Sequence, residues 1–260
     1  MRISLVQSDI IWGDPAANRR HLDELLGDLP ATDLLVLPEM FSTGFATSPE
    51  GIAEEQVSGA AGCETESVKW MKELALRRGC AVAGSVATSR NGCYFNRFSF
   101  VKPDGSVISY DKRHLFTYSG EDKVFTPGKD RVVVEWKGVR FLLLVCYDLR
   151  FPVWIRSRRD YDAIICVASW PTVRRKAWDT LLRARAIENQ CFVAAVDRTG
   201  NDPSCVYNGG SALIDPYGND IVSAPDGLEC VVSGDIDMDV LSGFREKFPV
   251  LDDADDFKME

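Results

Sequence analysis

The chain has 260 residues, of which 45% are hydrophobic and 27% charged, a composition typical of a folded globular protein and not of a disordered one. Its formal net charge of −9 argues against a nucleic acid as partner. No stretch approaches the roughly 20 apolar residues of a membrane helix, and the N-terminus lacks the pattern of a signal peptide. We therefore expect a cytoplasmic protein that does not bind membranes.

The first 80 residues alternate between predicted strands and helices. Residues 2–7 predict a strand, after which Asp14 as N-cap and Pro15 at the first helical position open a helix. A short apolar strand is predicted over 33–39 and ends at the charged residue Glu39. Apolar residues at helical spacing predict a second helix over 64–78, which Gly79 ends.

The rest of the chain reads mainly as strands joined by short turns, with helices near Pro152 and over 174–190. The predicted strands are 80–88, 94–101, 106–112, 131–136, 139–145, 162–169, 191–198, 209–216, 220–224 and 228–236. Several of them are apolar on both faces, which favours an α/β fold of two packed sheets covered by helices, a four-layer α–β–β–α sandwich. Because no linker divides the chain, we expect one domain over 1–260, with about 236–260 as an extension or dimer-contact tail.

The cysteines and histidines indicate neither a disulfide framework nor a metal site. The eight cysteines form no CxxC pair and mostly lie in apolar runs, so we interpret them as reduced, buried thiols. Only His21 and His114 are present, too few to support a zinc site. We expect neither a metal nor an organic cofactor.

Three predicted strands end on residues that can carry chemistry, namely Glu39, Lys112 and Cys146. Each has an ordinary explanation alone, since Glu and Lys are mostly exposed and a free Cys is mostly core. Their coincidence is informative because the ends of strands in α/β sheets aim side chains into a common crevice.

Together these three residue types suit amide hydrolysis. Cys146 would be the nucleophile, and Glu39 would take the thiol proton, return it to departing ammonia and later activate water. Lys112 would favour the thiolate and stabilise the oxyanion of a tetrahedral intermediate, with the backbone N–H of Tyr147 as a second donor.

The same segments resemble the nitrilase superfamily, the carbon–nitrogen hydrolases. LPEMFSTGF (37–45), YDKRHLF (110–116) and VCYDLRFP (145–152) are similar to its Glu, Lys and Cys motifs. ASWP (168–171), the segment from Trp178 through LLRARAIENQCFV, and GGSALIDPYG (209–218) resemble further family segments in the family's order. The resemblance implies the same sandwich, the same three catalytic residues, and a homodimer formed through the face that carries the helices after Cys146 and after Pro171.

Glu121 and Asp197 are two further positions that could belong to the active site. Glu121, in SGEDKVFTPG, stands where many members carry an additional active-site Glu that could position Lys112 and tune Glu39; the alternative is an exposed loop acid. Asp197 stands where many relatives have Asn in an Asn-Arg-x-Gly segment, which puts local hydrogen bonding or substrate contacts in doubt.

Within the superfamily, the Glu and Cys segments are most similar to the omega-amidases, which implies α-ketoglutaramate or α-ketosuccinamate as substrate. Phe41, Phe45 and Trp170 could wall a small pocket in which Arg150 or Arg174 pairs with a carboxylate. Plain core packing of Phe41 and Phe45, and an ion pair of Arg150 with Asp148, stay open as alternatives.

Other functions also stay open. An N-carbamoyl or aliphatic amidase, or a nitrilase, would use the same scaffold on another substrate. A Cys–His hydrolase would use His114 as the base, and a non-enzymatic scaffold protein would have kept only the fold. No GxSxG elbow supports a serine hydrolase.

Overall fold

The computed structural model describes residues 1–59 and 62–258. The helices are α1 (Pro15–Leu25), α2 (Glu66–Arg78), α3 (Pro152–Ile155), α4 (Arg175–Asn189) and α5 (Met238–Lys247). The strands are β1 (Arg2–Gln7), β2 (Leu34–Val36), β3 (Glu54–Glu55), β4 (Val57–Gly59), β5 (Gly62–Glu64), β6 (Ala81–Arg90), β7 (Cys93–Val101), β8 (Val107–Asp111), β9 (Val133–Trp136), β10 (Val139–Val145), β11 (Ala163–Ala168), β12 (Phe192–Asp197), β13 (Thr199–Asn201), β14 (Val206–Asn208), β15 (Ala212–Ile214), β16 (Asp220–Ser223) and β17 (Cys230–Asp235).

Most strands belong to two mixed sheets. The first has the order β17-β1-β2-β6-β7-β8, with β3 also paired to β6, and the second has the order β16-β15-β12-β11-β10-β9. Parallel pairs form the centre of each sheet, namely β1 with β2 and β2 with β6 in the first, and β10 with β11 and β11 with β12 in the second. Two small hairpins, β4-β5 and β13-β14, stand apart from the sheets.

The two sheets pack face to face and carry helices on their outer faces. Ile3, Leu5 and Val36 of the first sheet share a core with Phe141 and Leu143 of the second. On the other face of the first sheet, α1 and α2 contribute Leu22, Trp70, Met71 and Leu74 to a separate cluster. Trp178, Leu182 and Ala186 of α4 join the core from the side of the second sheet. The predicted α–β–β–α sandwich is confirmed.

Local signals account for the helix ends. Asp14 Oδ1 accepts a hydrogen bond from Ala17 N (2.9 Å), and Pro15 is the first residue of α1, as predicted. The second helix begins two residues later than predicted because Thr65 is its N-cap, and it ends as predicted at Gly79, whose φ of 64° is left-handed. The predicted strand over 33–39 is shorter, since only Leu34–Val36 pair in the sheet.

The C-terminal segment folds back onto its own chain. Helix α5, which the sequence analysis did not predict, follows the edge strand β17. Arg245 donates to Asp162 Oδ1 (2.9 Å) and to the carbonyl of Tyr161, and Gln190 donates to the carbonyl of Phe248. These bonds hold residues 238–248 against the end of the second sheet.

The cysteines are less uniformly buried than expected. Among the seven whose side chains are described, all are free, but only Cys80, Cys166 and Cys191 are buried and Cys93 is exposed. Cys63 lies outside the side chains that the structure describes. Over the described ranges, no group of three or more His, Cys, Asp or Glu side chains could hold a metal ion. None of the helices described is long and apolar enough to cross a membrane.

Candidate active site

Three strand ends meet at one cavity between the two sheets. Lys112 follows β8 directly, Cys146 follows β10 directly, and Glu39 lies three residues beyond β2. All three line the same cavity of about 330 Å³. The strand pattern of the sequence predicted this convergence, although Glu39 and Lys112 come from the first sheet and Cys146 from the second.

Glu39 is completely buried and held by three donors. Lys112 Nζ (2.9 Å) and Asn96 Nδ2 (2.7 Å) donate to its Oε1, and the backbone N–H of Ser169 donates to its Oε2 (2.8 Å). A carboxylate offers about four acceptor sites. One site on Oε2 therefore stays available for a proton from the cavity.

Glu121 is completely buried as well, so the structure rules out the exposed loop acid. Both of its oxygens accept from Lys112 Nζ, at 3.1 and 3.0 Å, and Phe116 N and Asn96 Nδ2 donate to it at 2.6 and 3.2 Å. Two carboxylates thus share one ammonium and one amide. Because Lys112 has three N–H donors, one donor directed at each carboxylate leaves a third for a ligand.

This cluster sets the protonation states of the site. Burial opposes the charged form of Lys112, but the carboxylates of Glu121 and Glu39 outweigh it, and the pKa of Lys112 is raised above its usual value. Burial raises the pKa of Glu121, and the charge of Glu39 adds to this while Lys112 opposes it. Burial, followed by the charge of Glu39, raises the pKa of the Cys146 thiol well above its usual value. A base that accepts the thiol proton would therefore favour reaction of Cys146.

Cys146 begins a tight 3-10 turn over Cys146–Arg150 with a φ of 47°. A non-glycine residue in the left-handed region is uncommon and costs of order 1 kcal/mol or more. Asp148 stabilises this turn, since its Oδ2 accepts from Val145 N (3.0 Å) and from Tyr110 Oη (2.7 Å). Its Oδ1 accepts from the backbone and the ring of His114, at 2.9 and 2.8 Å. Asp148 therefore fixes the turn of the nucleophile to the segment around Lys112.

Most of the predicted pocket residues are in place. Phe45, Trp170, Arg150 and Arg174 line the cavity. The Lys112 ammonium lies 5.2 Å from the ring centre of Phe45, and the Arg150 guanidinium lies 4.8 Å from that of Trp170. Tyr147 also lines the cavity, as the second residue of the turn after β10.

Two expectations about the pocket are corrected. Phe41 does not line the cavity but packs in the outer core against Trp70, with ring centres 5.8 Å apart. Its ring fills the space that the small residue Gly84 leaves on β6. Arg150 does not pair with Asp148, because Tyr110, Val145 and His114 occupy both oxygens of that carboxylate.

Several residues at the site were missed. Asn96, on β7, bonds both active-site carboxylates and is itself held by Ser85 Oγ, which donates to its Oδ1 (2.9 Å). An Asn in the middle of an apolar strand is a signal that could have revealed it, since Asn is depleted in strands. Phe116 and Tyr118 flank Arg174, with ring centres 5.2 and 5.7 Å from its guanidinium.

Comparison with known proteins agrees with the fold. The family model described as carbon–nitrogen hydrolase matches residues 2–246. The chain is 43% identical over 258 residues to the omega-amidase YafV of Yersinia enterocolitica, covering 99% of this chain and 98% of that protein. It is 35% identical over 257 residues to the 2-oxoglutaramate amidase of Bacillus subtilis, covering 96% of each.

Among solved structures, XC1258 from Xanthomonas campestris is similar over its whole length. The TM-score is 0.94 at 42% identity, with 100% of this chain and 99% of that chain covered. XC1258 is described as a CN-hydrolase superfamily protein with an arsenic adduct in the active site. The full-length matches in sequence and in structure show that the chain belongs to the carbon–nitrogen hydrolase family.

Proposed function

We propose that the protein is an omega-amidase that hydrolyses 2-oxoglutaramate (α-ketoglutaramate) or 2-oxosuccinamate (α-ketosuccinamate) to the oxo-dicarboxylate and ammonia. The observation that carries the proposal is the buried Glu39–Lys112–Glu121 cluster beside Cys146, in a cavity that also holds two arginines. The two relatives named omega-amidase and 2-oxoglutaramate amidase support the substrate.

In the first half-reaction, the sulfur of Cys146 attacks the amide carbon and its proton passes to Glu39. The free acceptor site on Glu39 Oε2 suits this transfer, and the raised pKa of the Cys146 thiol favours transfer to a base. The oxyanion accepts from Lys112 Nζ and from the backbone N–H of Tyr147. Glu39 then returns the proton to the leaving nitrogen, the carbon–nitrogen bond breaks, and ammonia leaves a thioester on Cys146.

In the second half-reaction, Glu39 takes a proton from water as the water attacks the thioester. The carbon–sulfur bond breaks, the thiolate regains the proton, and the new carboxylate leaves. Glu121 does not take part in these transfers. It keeps Lys112 charged and in place through contacts of 3.0 and 3.1 Å.

The two arginines of the cavity favour a substrate with a carboxylate. Lys112 is already paired with two carboxylates, and the lining residue Asp202 accepts from Tyr207 Oη and from two backbone amides. In the part of the chain that the structure describes, neither Arg150 nor Arg174 forms a salt bridge, and their guanidinium groups stack on aromatic rings. Charge-assisted pairing of these arginines with a carboxylate is the interaction that the cavity offers.

Cys146→Ala tests the chemistry. We expect the variant to fold normally and to release no ammonia from 2-oxoglutaramate, whereas the wild type under brief turnover carries a thioacyl adduct on Cys146 detectable by mass spectrometry. Cys80→Ala, which removes a buried thiol far from Cys146 in the sequence, is the matched control. Turnover by Cys146→Ala would refute the proposed mechanism.

Arg150→Gln and Arg174→Gln test the substrate. Loss of a charge-assisted hydrogen bond costs about 1.5–3 kcal/mol, so kcat/KM for 2-oxoglutaramate should fall roughly 10- to 150-fold. The kcat/KM for butyramide, which has no carboxylate, should stay unchanged. Arg183→Gln, which removes a surface arginine bonded to Asp220, is the control. Equal losses on both substrates would contradict carboxylate recognition.

A different amidase on the same scaffold is the second candidate. An N-carbamoyl or aliphatic amidase would release ammonia faster from carbamoyl amino acids or simple amides than from 2-oxoglutaramate, and a nitrilase would act on small nitriles. The Cys–His alternative is disfavoured, because His114 does not line the cavity and its Nδ1 contacts Asp148 while its ring stacks on Phe151.

We also propose a homodimer of one-domain chains. Val153 (57%) on α3, Val173 (87%) shortly before α4 and Ile187 (54%) on α4 are exposed. These exposed apolar side chains belong to the helices that the family resemblance assigns to the dimer contact, and such side chains suit an interface. Light scattering on the wild type and on Val153→Glu/Val173→Glu measures the assembly, and a monomeric wild type would refute it.

A further inference from the structure

The carboxyl group of Asp197, at the end of β12, is buried and forms no salt bridge with the residues that the structure describes. Its residue exposure is 0%, its Oδ1 accepts from Trp170 N at 2.7 Å, and its Oδ2 has no partner among the described residues. A buried carboxylate is normally paired with a cation or bonded at both oxygens. Among the described residues, Asp197 forms no ion pair and is bonded at one oxygen alone.

Of the charges around Asp197, that of Arg198 favours the ionised carboxylate, whereas that of Glu39 opposes it. Glu39 from the end of β2 and the thiols of Cys146 and Cys166 face it from the neighbouring strands. On its own strand end, Arg198 directs its guanidinium away, since Nη2 bonds Asp9 Oδ1 (3.0 Å) and the carbonyl of Asn201 (3.1 Å). Burial raises the pKa of Asp197 well above its usual value, and Glu39 raises it further, although the backbone N–H of Trp170 and Arg198 both act in the opposite direction.

Asp197 is linked to the active site through two consecutive backbone amides. Ser169 N donates to Glu39 Oε2 (2.8 Å), and Trp170 N donates to Asp197 Oδ1 (2.7 Å). The 169–170 segment is therefore held from one side by the first sheet and from the other by the second. A displacement of Trp170 would move the amide that orients Glu39.

We propose that Asp197 is a positioning residue that stays a neutral carboxylic acid in the folded protein. It fixes the 169–170 segment on Glu39 without placing a second negative charge beside Cys146. The inference about Glu39 rests on the proposed function, whereas the neutral state of Asp197 does not.

The neutral state is tested by the pH dependence of stability, measured by urea unfolding of wild type and Asp197→Asn. An Asp that is protonated when folded and ionised when unfolded makes the wild type lose stability as pH rises above about 4, the unfolded pKa. Asn has no such loss. The unfolding equilibrium constants of the two proteins should diverge in favour of the variant, by up to about tenfold per pH unit.

Asp162→Asn is the control, because its effect on stability at neutral pH should be opposite to that of Asp197→Asn. The pKa of Asp162 is lowered, since its bonds to Arg140 and Arg245 outweigh burial, and replacing it should cost stability at neutral pH. A constant gap between wild type and Asp197→Asn from pH 5 to pH 8, or a gap that moves against the variant, would overturn the neutral state.

Single-turnover acylation tests the positioning, because its first-order rate constant does not depend on the folded fraction. Asp197→Asn keeps an acceptor for Trp170 N and should acylate at close to the wild-type rate. Asp197→Ala removes that acceptor and should slow acylation about 10- to 100-fold. A normal rate in Asp197→Ala, or an equal loss in Asp197→Asn, would overturn the positioning role. Failure of the proposed function would instead show as turnover by Cys146→Ala and would leave the unfolding result unaffected.

Discussion

Removal of the Lys112 ammonium should destabilise the fold as well as slow catalysis. In Lys112→Met, Glu39 and Glu121 would keep only Asn96 as a shared side-chain donor, although both carboxylates are completely buried. Breaking a buried ion pair by removing one partner costs about 3–5 kcal/mol. For a chain of this size, that corresponds to a fall in Tm of roughly 6–20 °C.

A double variant separates charge from packing. Lys112→Met/Glu121→Gln also removes one negative charge, so it should recover part of the lost stability, with a coupling of about 0.5–3 kcal/mol. The raised pKa of Lys112 sets the pH range in which its ion pairs stabilise the fold. This stabilisation is complete below the pKa of an unfolded lysine, about 10.4, and is lost as the pH rises through the pKa of Lys112 in the folded protein.

The assays are urea unfolding at pH 7 and ammonia release. Loss of an oxyanion donor should lower kcat about 10²- to 10³-fold in both variants, so the double variant regains stability without activity. A Lys112→Met protein that unfolds at the wild-type urea concentration, or a double variant less stable than the single one, would refute this electrostatic account.

Three further perturbations test the surroundings of the site. Asp148→Ala leaves four donors without their acceptor, and we expect a loss of at least about 3 kcal/mol in unfolding free energy, together with altered alkylation of Cys146 by iodoacetamide. The lowered pKa of Asp162 predicts that the stability gap between wild type and Asp162→Asn, present at pH 7, closes as pH falls below about 3.9; a constant gap in urea unfolding would contradict this. In Gly84→Ala, the new Cβ would lie 2.9 Å from Leu37 Cβ, so we expect a loss of about 1–3 kcal/mol and a lower kcat, whereas Gly243→Ala, with open space around it, should not be destabilised.

The sequence was informative where local chemistry decides the structure. Asp14 with Pro15 and Gly79 mark helix ends through backbone geometry that acts within a few residues, and both were predicted. The convergence of Glu39, Lys112 and Cys146 followed from the general behaviour of strand ends. The catalytic roles of these residues stay predictions until they are assayed.

The sequence was uninformative where contacts between distant segments decide the structure. Asn96 reaches Glu39 across 57 positions and Ser169 reaches it across 130, and no local pattern encodes such distances. The sequence left Phe41 between the pocket and the core, and the space beside Gly84, a distant position, places its ring in the core. Helix α5 was missed although Asp237 as N-cap and the spacing of Met238, Leu241 and Phe244 are local signals for it; the contact of Arg245 with Asp162, 83 positions away, is what no local pattern predicts.

The bond from Ser169 N to Glu39 Oε2 joins the first sheet to the second at the residue that we propose as the base. The two layers cannot slide past each other, even by a fraction of the length of a hydrogen bond, without releasing Glu39. Catalytic activity should therefore report the alignment of the two layers more sensitively than any spectroscopic signal of secondary structure. On gentle heating, ammonia release should decline before the far-ultraviolet circular dichroism changes.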